Sequence, residues 1–231
     1  SRRGILTEEA LFWSPRYSTR PLCLVCYGYL YSHDICHPCQ CGWPLCSEEC
    51  LNSIKDSDHS AECRLYASKP EKKPDYRKFN YAGIEPLYDV IAPLRLLTEK
   101  GRSNKWDTAM KLMSHLGDWK DHDAVKEQIL SLFPVDYTDE EEIYTIFGIF
   151  YTNDLAGNPV LCPKIRQLYT LTSLLSHDCT PNTLRVIHST VKEKFRVEVK
   201  AKMGIQKGEK INGTYIDTFA PTIIRKKVLR E

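Results

Sequence analysis

The sequence contains no run of apolar residues that approaches the ~18 consecutive residues needed for a membrane-spanning helix. It also has little excess charge, because 32 Lys and Arg stand against 30 Asp and Glu, a formal net charge of +2. This balance argues against a strongly cationic nucleic-acid binder. With 42% hydrophobic residues, the 231-residue chain has enough apolar material to bury a substantial core, which excludes a disordered tail.

The first residues, SRRGILTEEALFW, lack the apolar centre and the small-residue cleavage site of a secretory signal. We therefore expect reduced cysteines and a cytoplasmic or nuclear location, not a disulfide framework. Basic residues are scarce where cysteines are dense, since only Lys55 is basic between Cys23 and Cys63. That segment has no patch able to neutralise phosphates, so we expect no direct nucleic-acid binding. The lack of a long apolar run predicts no membrane partner.

Cysteine is concentrated in one segment: eight of the ten cysteines lie between Cys23 and Cys63. A two-residue gap lets both side chains of a pair reach one ion at ~2.3 Å, and a three-residue gap does so from one face of a helix. Four such pairs fill two tetrahedral sites with no open position for a reacting water, so the spacing predicts two structural zinc ions. The pairs are Cys23-x2-Cys26, Cys36-x2-Cys39, Cys46-x3-Cys50 and His59-x3-Cys63.

The order of these pairs resembles the MYND zinc finger, in which the first and third pairs hold one ion and the second and fourth pairs hold the other. Cys41 is an alternative to Cys39, because a glycine follows it as it follows many ligating cysteines, but the spacing favours Cys39. The resemblance also implies that the finger recruits proline-rich protein ligands. The implied ligands are Cys23, Cys26, Cys46 and Cys50 in the first site, and Cys36, Cys39, His59 and Cys63 in the second.

The rest of the chain divides by its hydrophobic period. Residues 1–22 read as short extended segments, and SKPEKKPDYRK, after the finger, reads as a solvated linker. Apolar residues then recur at helical spacing from Glu85 to about Asn153. Beyond Gly157 the pattern alternates as in strands, and Asp217 to Arg230 reads as a basic amphipathic helix whose isoleucines pack on the core.

Two motifs occur in the final third of the chain. One is LLSHDCTPNT at residues 174–183, and the other is KGEKINGTYID at residues 207–217. Together, downstream of a MYND-like finger, they resemble the two signature motifs of the SET domain. The match extends over nearly the whole chain and is similar to the SET and MYND domain-containing (SMYD) group, most of all to its arthropod SmydA branch.

The resemblance implies an α+β fold, in which a SET-type β-fold is interrupted by a two-zinc MYND finger and a helical SET insert. The first and last segments would therefore fold together. The implied divisions are an N-terminal SET segment (1–22), the finger (23–63), a linker (64–84), the helical insert (85–145) and a C-terminal SET core (146–231) without a post-SET cysteine cluster.

In function, the resemblance implies a protein-lysine methyltransferase that uses S-adenosylmethionine. Tyr215 would be the catalytic residue that orients the amine and the methyl group. Ser176 and His177 would contact the cofactor, Asn153 would bind its amino-acid end, and Gly4 would let the backbone approach it. The substrate would be a lysine of a protein.

Several residues depart from the family pattern and keep an alternative open. Arg2-Arg3-Gly4 stands where the family has Gly-x-Gly, and Ser176 replaces an asparagine. In relatives, a cysteine cluster after the basic helix binds a third zinc with the cysteine that matches Cys179, and we expect no such cluster in this chain. The alternative is a non-catalytic SET and MYND scaffold that recruits proline-rich proteins.

Overall fold

A computed structural model describes residues 3–115, 122–156, 164–216 and 221–228. Its strands are β1 (Gly4–Glu8), β2 (Phe12–Pro15), β3 (His37–Pro38), β4 (Pro44–Leu45), β5 (Asp154–Ala156), β6 (Ile165–Leu168), β7 (Ser176–His177), β8 (Thr183–Ile187), β9 (Val197–Ala201) and β10 (Asn212–Gly213). Its α-helices are α1 (Glu48–Asn52), α2 (His59–Ser68), α3 (Ile91–Thr98), α4 (Asn104–Ala109), α5 (Asp123–Leu132), α6 (Glu140–Asn153) and α7 (Thr222–Val228).

Strands from the start of the chain pair with strands from its final third. β1 lies antiparallel to β9, which also pairs with β8, so these strands form one sheet in the order β1-β9-β8. β2 lies antiparallel to β6 in a second sheet, β2-β6-β5. The finger and the helices are therefore insertions between the two parts of one β-fold, which confirms the predicted fold class.

The finger consists of the β3–β4 hairpin, α1 and α2. α1 begins at its cap Ser47, whose hydroxyl accepts a hydrogen bond from the Cys50 backbone N–H at 3.3 Å. That bond satisfies one of the free N–H groups of the first turn and also fixes the backbone of a cysteine. At the turn before β4, Gly42 has φ +90, and a Cβ there would lie 2.3 Å from the Pro74 carbonyl oxygen. Only glycine fits this close approach of the finger to the following segment.

The predicted helical stretch is present as α3 to α6. α3 is buried from Ile91 to Leu97, so it forms the centre of the helical layer. α6 begins after Asp139, whose carboxylate accepts from the Glu142 N–H at 2.8 Å, and acidic residues fill its first turn, as the positive end of a helix favours. This one continuous helix crosses the boundary predicted between residues 145 and 146.

The segment predicted as a solvated linker packs more closely than expected. It forms two short 3-10 turns, Pro70–Lys72 and Tyr76–Lys78, and Lys69 donates to the Ser131 carbonyl at 2.8 Å. Phe79 is buried, with its ring centroid 5.5 Å from that of Trp43. The charged composition concealed these anchors, because single apolar residues between lysines give no periodic signal.

The basic helix at the end of the chain differs from its prediction. α7 covers Thr222–Val228, whereas Asp217 and Leu229 of the predicted helix lie outside the described residues. Ile223 is 77% exposed and Ile224 is 50% exposed. The predicted packing of these isoleucines on the core is therefore wrong, since helical period alone does not say whether a neighbour covers the apolar face.

Buried side chains form one continuous core. It contains Trp43 of the finger, Leu94 of the helical layer and Val197 of the sheet, so the finger shares the core of the β-fold. No helix of the described chain is long and apolar enough to cross a membrane.

Candidate cofactor site and zinc clusters

Two short segments cross beside each other where the sequence motifs lie. β7 pairs in parallel with β10, with Ser176 opposite Asn212 and His177 opposite Gly213. The Asp178 N–H continues this pairing by donating to the Gly213 carbonyl at 2.8 Å. A parallel pair needs a long connection, which β8 and β9 supply here. The fold therefore brings together two motifs that are well separated in the sequence, and we call this crossing the knot.

His177 and Tyr215 are in contact at the knot. The Tyr215 backbone N–H donates to His177 Nδ1 at 3.0 Å, so in the neutral ring the proton is on Nε2, which lies 3.4 Å from the Cys179 sulfur. The Tyr215 hydroxyl donates to the Leu175 carbonyl at 2.7 Å. Tyr215 is 58% exposed, so this pairing of a hydroxyl and a carbonyl lies at the surface and is open to an incoming ligand.

Asn153 is the last residue of α6 and is buried. Its amide nitrogen donates to the Met113 carbonyl at 2.7 Å and to the Ile149 carbonyl at 2.8 Å. The Asn153 carbonyl accepts from Ser173 Oγ at 3.2 Å, which joins the end of α6 to the turn before β7. The amide donors therefore hold local structure, and the side-chain oxygen Oδ1 is the atom outside these two bonds.

The position of Asn153 is fixed by the next residue. Asp154 is paired with Arg16 of the segment after β2, at 2.5 Å, and with Arg166 of β6, at 3.0 Å. Burial raises the pKa of the Asp154 carboxyl above its ordinary value, and the two arginines oppose this shift. The ion pairs hold the α6–β5 junction against β6 and against the segment that follows β2.

The loop before the knot is held by Glu8 at the end of β1. One carboxylate oxygen accepts from the Thr170 N–H at 2.7 Å and the Leu171 N–H at 2.9 Å, and the other accepts from the Thr172 N–H at 2.9 Å. The hydroxyls of Thr170 and Thr172 donate as well, at 2.7 and 2.8 Å. Five donors thus converge on one side chain, and they fix the loop that leads into Ser176 and His177.

Gly4 lies at the start of β1, opposite Lys200 of β9. A Cβ at Gly4 would meet nothing within 4 Å, so packing against described residues does not require glycine there. The open space fits the predicted approach of a ligand to the backbone. It also means that the residue type alone is no evidence for a cofactor.

The first candidate zinc cluster contains the four cysteines that the pair order implied. Cys23, Cys26, Cys46 and Cys50 have sulfur atoms within 4.8 Å of one another. The sulfur atoms of Cys26 and Cys46 are 3.5 Å apart, close to the ~3.8 Å edge of a tetrahedron of sulfurs around zinc. Tyr27 adopts a left-handed φ of 62, after which the Gly28 N–H donates to the Cys26 sulfur at 3.4 Å.

The second cluster differs from its prediction in one ligand. Its members are Cys39, Cys41, His59 and Cys63, all buried and with ligand atoms within 4.8 Å of one another. The Cys39 and Cys63 sulfurs are 3.4 Å apart, and Cys41 Sγ is 3.4 Å from His59 Nε2. Cys41 thus stands beside Cys39 instead of replacing it.

Cys36, predicted in that site, lies outside the group. Its sulfur donates to the Ser32 carbonyl at 3.1 Å and lies 3.7 Å from the Tyr81 hydroxyl. The two residues between Cys36 and Cys39 form strand β3, and three extended residues span about 10 Å, too far for both sulfurs to bind one ion. The two-residue spacing rule assumes a tight turn, which here follows Cys39 and leads to Gly42.

Both clusters fit structural zinc. Four soft or borderline ligands surround each centre, which leaves no place for a reacting water. These are the two groups of metal-ligating side chains within residues 3–115, 122–156, 164–216 and 221–228. Cys179 belongs to neither of them.

No protein-family model matches the chain. Among curated proteins, SET domain-containing protein SmydA-8, isoform B, of Drosophila melanogaster is 27% identical over 88% of this chain and 44% of its own length. Histone-lysine N-methyltransferase ASHR1 of Arabidopsis thaliana is 26% identical over 89% of this chain and 43% of its own length. Histone-lysine N-methyltransferase SET5 of Candida glabrata is 29% identical over 45% of this chain. The chain thus spans less than half the length of these relatives.

The interleaved strands, the knot and the inserted clusters define a SET-type protein that carries a two-site zinc finger. The similarity to SmydA-8 and to SET-domain methyltransferases agrees with this class. The similarity supports an assignment to the SET and MYND domain-containing (SMYD) group, its arthropod SmydA branch included.

Proposed function

We propose that the chain is a protein-lysine methyltransferase of the SET type that uses S-adenosylmethionine. The observation that supports this most is the arrangement at the knot, where the hydroxyl of Tyr215 and the carbonyl of Leu175 form an exposed pair beside His177. Names of relatives support the same reaction class, because ASHR1 and SET5 are histone-lysine N-methyltransferases.

S-adenosylmethionine, when bound, supplies a methyl group activated by a positive sulfonium. The residues of this chain must hold a neutral amine in line with that methyl group and direct its lone pair. Tyr215 Oη and the Leu175 carbonyl oxygen are 2.7 Å apart, and each can accept a hydrogen bond from an amine N–H. With its N–H groups engaged in this way, the amine would keep its lone pair free for attack.

The remaining predicted site residues take supporting roles. Both amide hydrogens of Asn153 are already used within the protein. The other polar atom of this side chain, Oδ1, can accept a hydrogen bond from the amino group of the cofactor. Ser176 and His177 would line the cofactor site from the knot, and Gly4 would line it from β1. In this proposal, residues 1–22 and 146–231 act as one catalytic unit, with residues 85–145 as its insert and residues 64–84 as the linker.

The finger would recruit proline-rich proteins. A groove of about 360 Å³ runs between the finger and the following segment, lined among others by Gln40, Pro74 and Tyr76. Extended proline-rich segments dock in grooves that carry aromatic side chains, and Tyr76 supplies one here. The reduced cysteines suit a nuclear or cytoplasmic protein.

A non-catalytic scaffold is the second candidate. The observation that favours it is that the site is internally bonded: the Tyr215 hydroxyl is taken by Leu175 and the Asn153 amide by Met113 and Ile149. In this reading the SET fold serves only to carry the finger, and S-adenosylmethionine does not bind.

Transfer of a labelled methyl group from S-adenosylmethionine to core histones tests the proposal. Histones are the first substrate to try because of the names of the relatives. We expect label on lysine with the unaltered protein and a loss of at least two orders of magnitude with Tyr215→Phe. Tyr17→Phe, a change at a half-exposed tyrosine outside the knot, is the matched control and should keep full activity. Equal label with both variants would contradict the role of Tyr215.

A further inference from the structure

The carboxylate of Glu62 lies between a predicted zinc ligand and a buried arginine. His59 Nδ1 is 3.1 Å from Glu62 Oε1, and both side chains are fully buried. Since a carboxylate accepts and does not donate, the ring proton is on Nδ1, which leaves Nε2 free to bind metal. Nε2 is the atom that faces the Cys41 sulfur. Glu62 therefore sets the tautomer and the orientation that the second cluster needs.

Arg95 of α3 completes this arrangement. Its guanidinium donates from Nε to Glu62 Oε2 at 3.0 Å and from Nη2 to Glu62 Oε1 at 2.5 Å, so the pair is bidentate. The third nitrogen, Nη1, donates to the Trp13 carbonyl at 2.7 Å and to the Tyr27 hydroxyl at 2.6 Å. One side chain, 4% exposed, thus joins the helical layer to β2 and to two finger residues, Glu62 and Tyr27.

Arg95 also links the second cluster to the strands beside the candidate cofactor site. Trp13 belongs to β2, which pairs with β6, and β6 pairs with β5, the strand that directly follows Asn153. Both members of the bidentate Glu62–Arg95 pair are buried, so each depends on the other for its partner. Leaving one member of a buried ion pair without its partner is strongly destabilising.

We propose that Glu62 is the positioning residue for His59 in the second zinc cluster and that Arg95 connects this cluster to β2. Zinc in the second cluster would then stabilise the sheet whose strand β5 directly follows Asn153. Loss of that zinc would loosen β2, which makes the finger part of the cofactor site's support. The inference rests on the proposed occupancy of the second cluster by zinc.

The first test measures zinc release to a coloured chelator from the full chain and from Glu62→Gln. The amide keeps the size of the side chain but turns a donor toward Arg95 and loses the charge. We expect the affinity for the second ion to fall about 10- to 100-fold, as for other partners of zinc-bound histidines, and the ion to leave correspondingly faster. The first ion should leave at an unchanged rate, and the matched control Glu71→Gln, at an exposed carboxylate, should release both ions normally. Glu62→Asp, which keeps the charge, should restore part of the retention.

The second test measures hydrogen exchange at the backbone amides of Phe12, Trp13 and Ser14 in β2 of the unaltered protein, before and after the second ion is removed. Faster exchange in β2 is expected, whereas unchanged exchange overturns the connection through Arg95. Equal loss of both ions in Glu62→Gln would show general unfolding and also overturn the positioning role. An unaltered protein that holds fewer than two ions would instead overturn the proposed zinc sites, and this inference with them.

Discussion

Asn182 and Asn212 each donate a backbone N–H to the side-chain oxygen of the other, at 2.8 and 3.0 Å. Asn182 Nδ2 also donates to the Lys210 carbonyl at 2.9 Å, and Asn212 Nδ2 donates to Asp178 Oδ2 at 3.2 Å. The knot has only two residues in each strand, so these side chains supply much of its hydrogen bonding. The reciprocal pair thereby holds the chain that carries Tyr215 beside the chain that carries His177.

Asn212→Asp tests the reciprocal pair. The substitution keeps an acceptor for the Asn182 N–H but removes the donor to Asp178 and places a second negative charge beside it. We expect the free energy of unfolding to fall by about 1–3 kcal/mol, the usual cost of an unsatisfied polar group. Urea denaturation measures it. Asn104→Asp, at an exposed helix start, is the control, and an equal effect of both changes would show that the pair is unimportant.

Single cysteine substitutions test the composition of the second cluster. We expect two zinc ions in the unaltered protein and one in Cys39→Ser and in Cys41→Ser, because both sulfurs are in the group. Cys36→Ser should keep both ions, since its sulfur bonds to Ser32 instead. Elemental analysis of the purified proteins gives the count. Loss of an ion in Cys36→Ser with retention in Cys41→Ser would restore the ligand set that spacing alone predicts.

Removal of an exposed ligand should unfold the finger. Cys26→Ala takes one thiolate from the first cluster, and structural zinc supplies a large part of the folding free energy of a small module. We expect one zinc ion per chain and loss of protection from proteolysis in residues 23–63. A variant that keeps two ions and a protected finger would argue that the first cluster does not bind zinc.

Glu8→Gln should remove a pH-dependent contribution to the free energy of unfolding. Burial raises the pKa of Glu8, but the hydrogen bonds from Leu171, Thr170 and Thr172 outweigh it, so the pKa is below its ordinary value of 4.5. The folded state favours the charged carboxylate, so Glu8 stabilises the fold fully at pH values above its ordinary pKa. This stabilisation is lost as the pH falls through the lowered pKa of the folded state. The difference in unfolding free energy between the two proteins should therefore be largest at neutral pH and shrink in acid. A difference that is constant with pH would contradict the hydrogen-bonded carboxylate.

Tyr215→Phe separates chemistry from stability. The lost hydroxyl makes one exposed hydrogen bond, so we expect the free energy of unfolding to fall by no more than about 1 kcal/mol. Binding of S-adenosylmethionine should persist while turnover falls by orders of magnitude. A large loss of stability, with cofactor binding and activity retained, would instead show that the hydroxyl only satisfies its neighbour.

The sequence was most informative where one local pattern decides the structure. Ligand spacing located the first cluster, and helical period located α3, α5 and α6, because both depend on neighbours along the chain. Ligand spacing alone did not give the members of the second cluster, because counting residues cannot distinguish a strand between Cys36 and Cys39 from a turn. Cys41 itself carried a usable signal, the glycine that follows it.

Long-range partners were missed for a different reason. Glu8, Glu62 and Arg95 look like ordinary surface charges in the sequence, and only the fold shows that each is surrounded by donors or acceptors. The helical layer shows only an apolar period in the sequence, yet its Arg95 bonds Glu62, which in turn bonds the candidate metal ligand His59. Which charges become buried depends on tertiary packing, which no local pattern encodes.

Calorimetric titration of the zinc-loaded protein with S-adenosylmethionine tests the central claim most directly, because it requires no knowledge of the substrate. We predict saturable binding of one molecule per chain, weakened by His177→Ala and left unchanged by His33→Ala, at an exposed finger histidine outside both clusters. No binding by a folded protein that holds both zinc ions would contradict the methyltransferase proposal and support the scaffold.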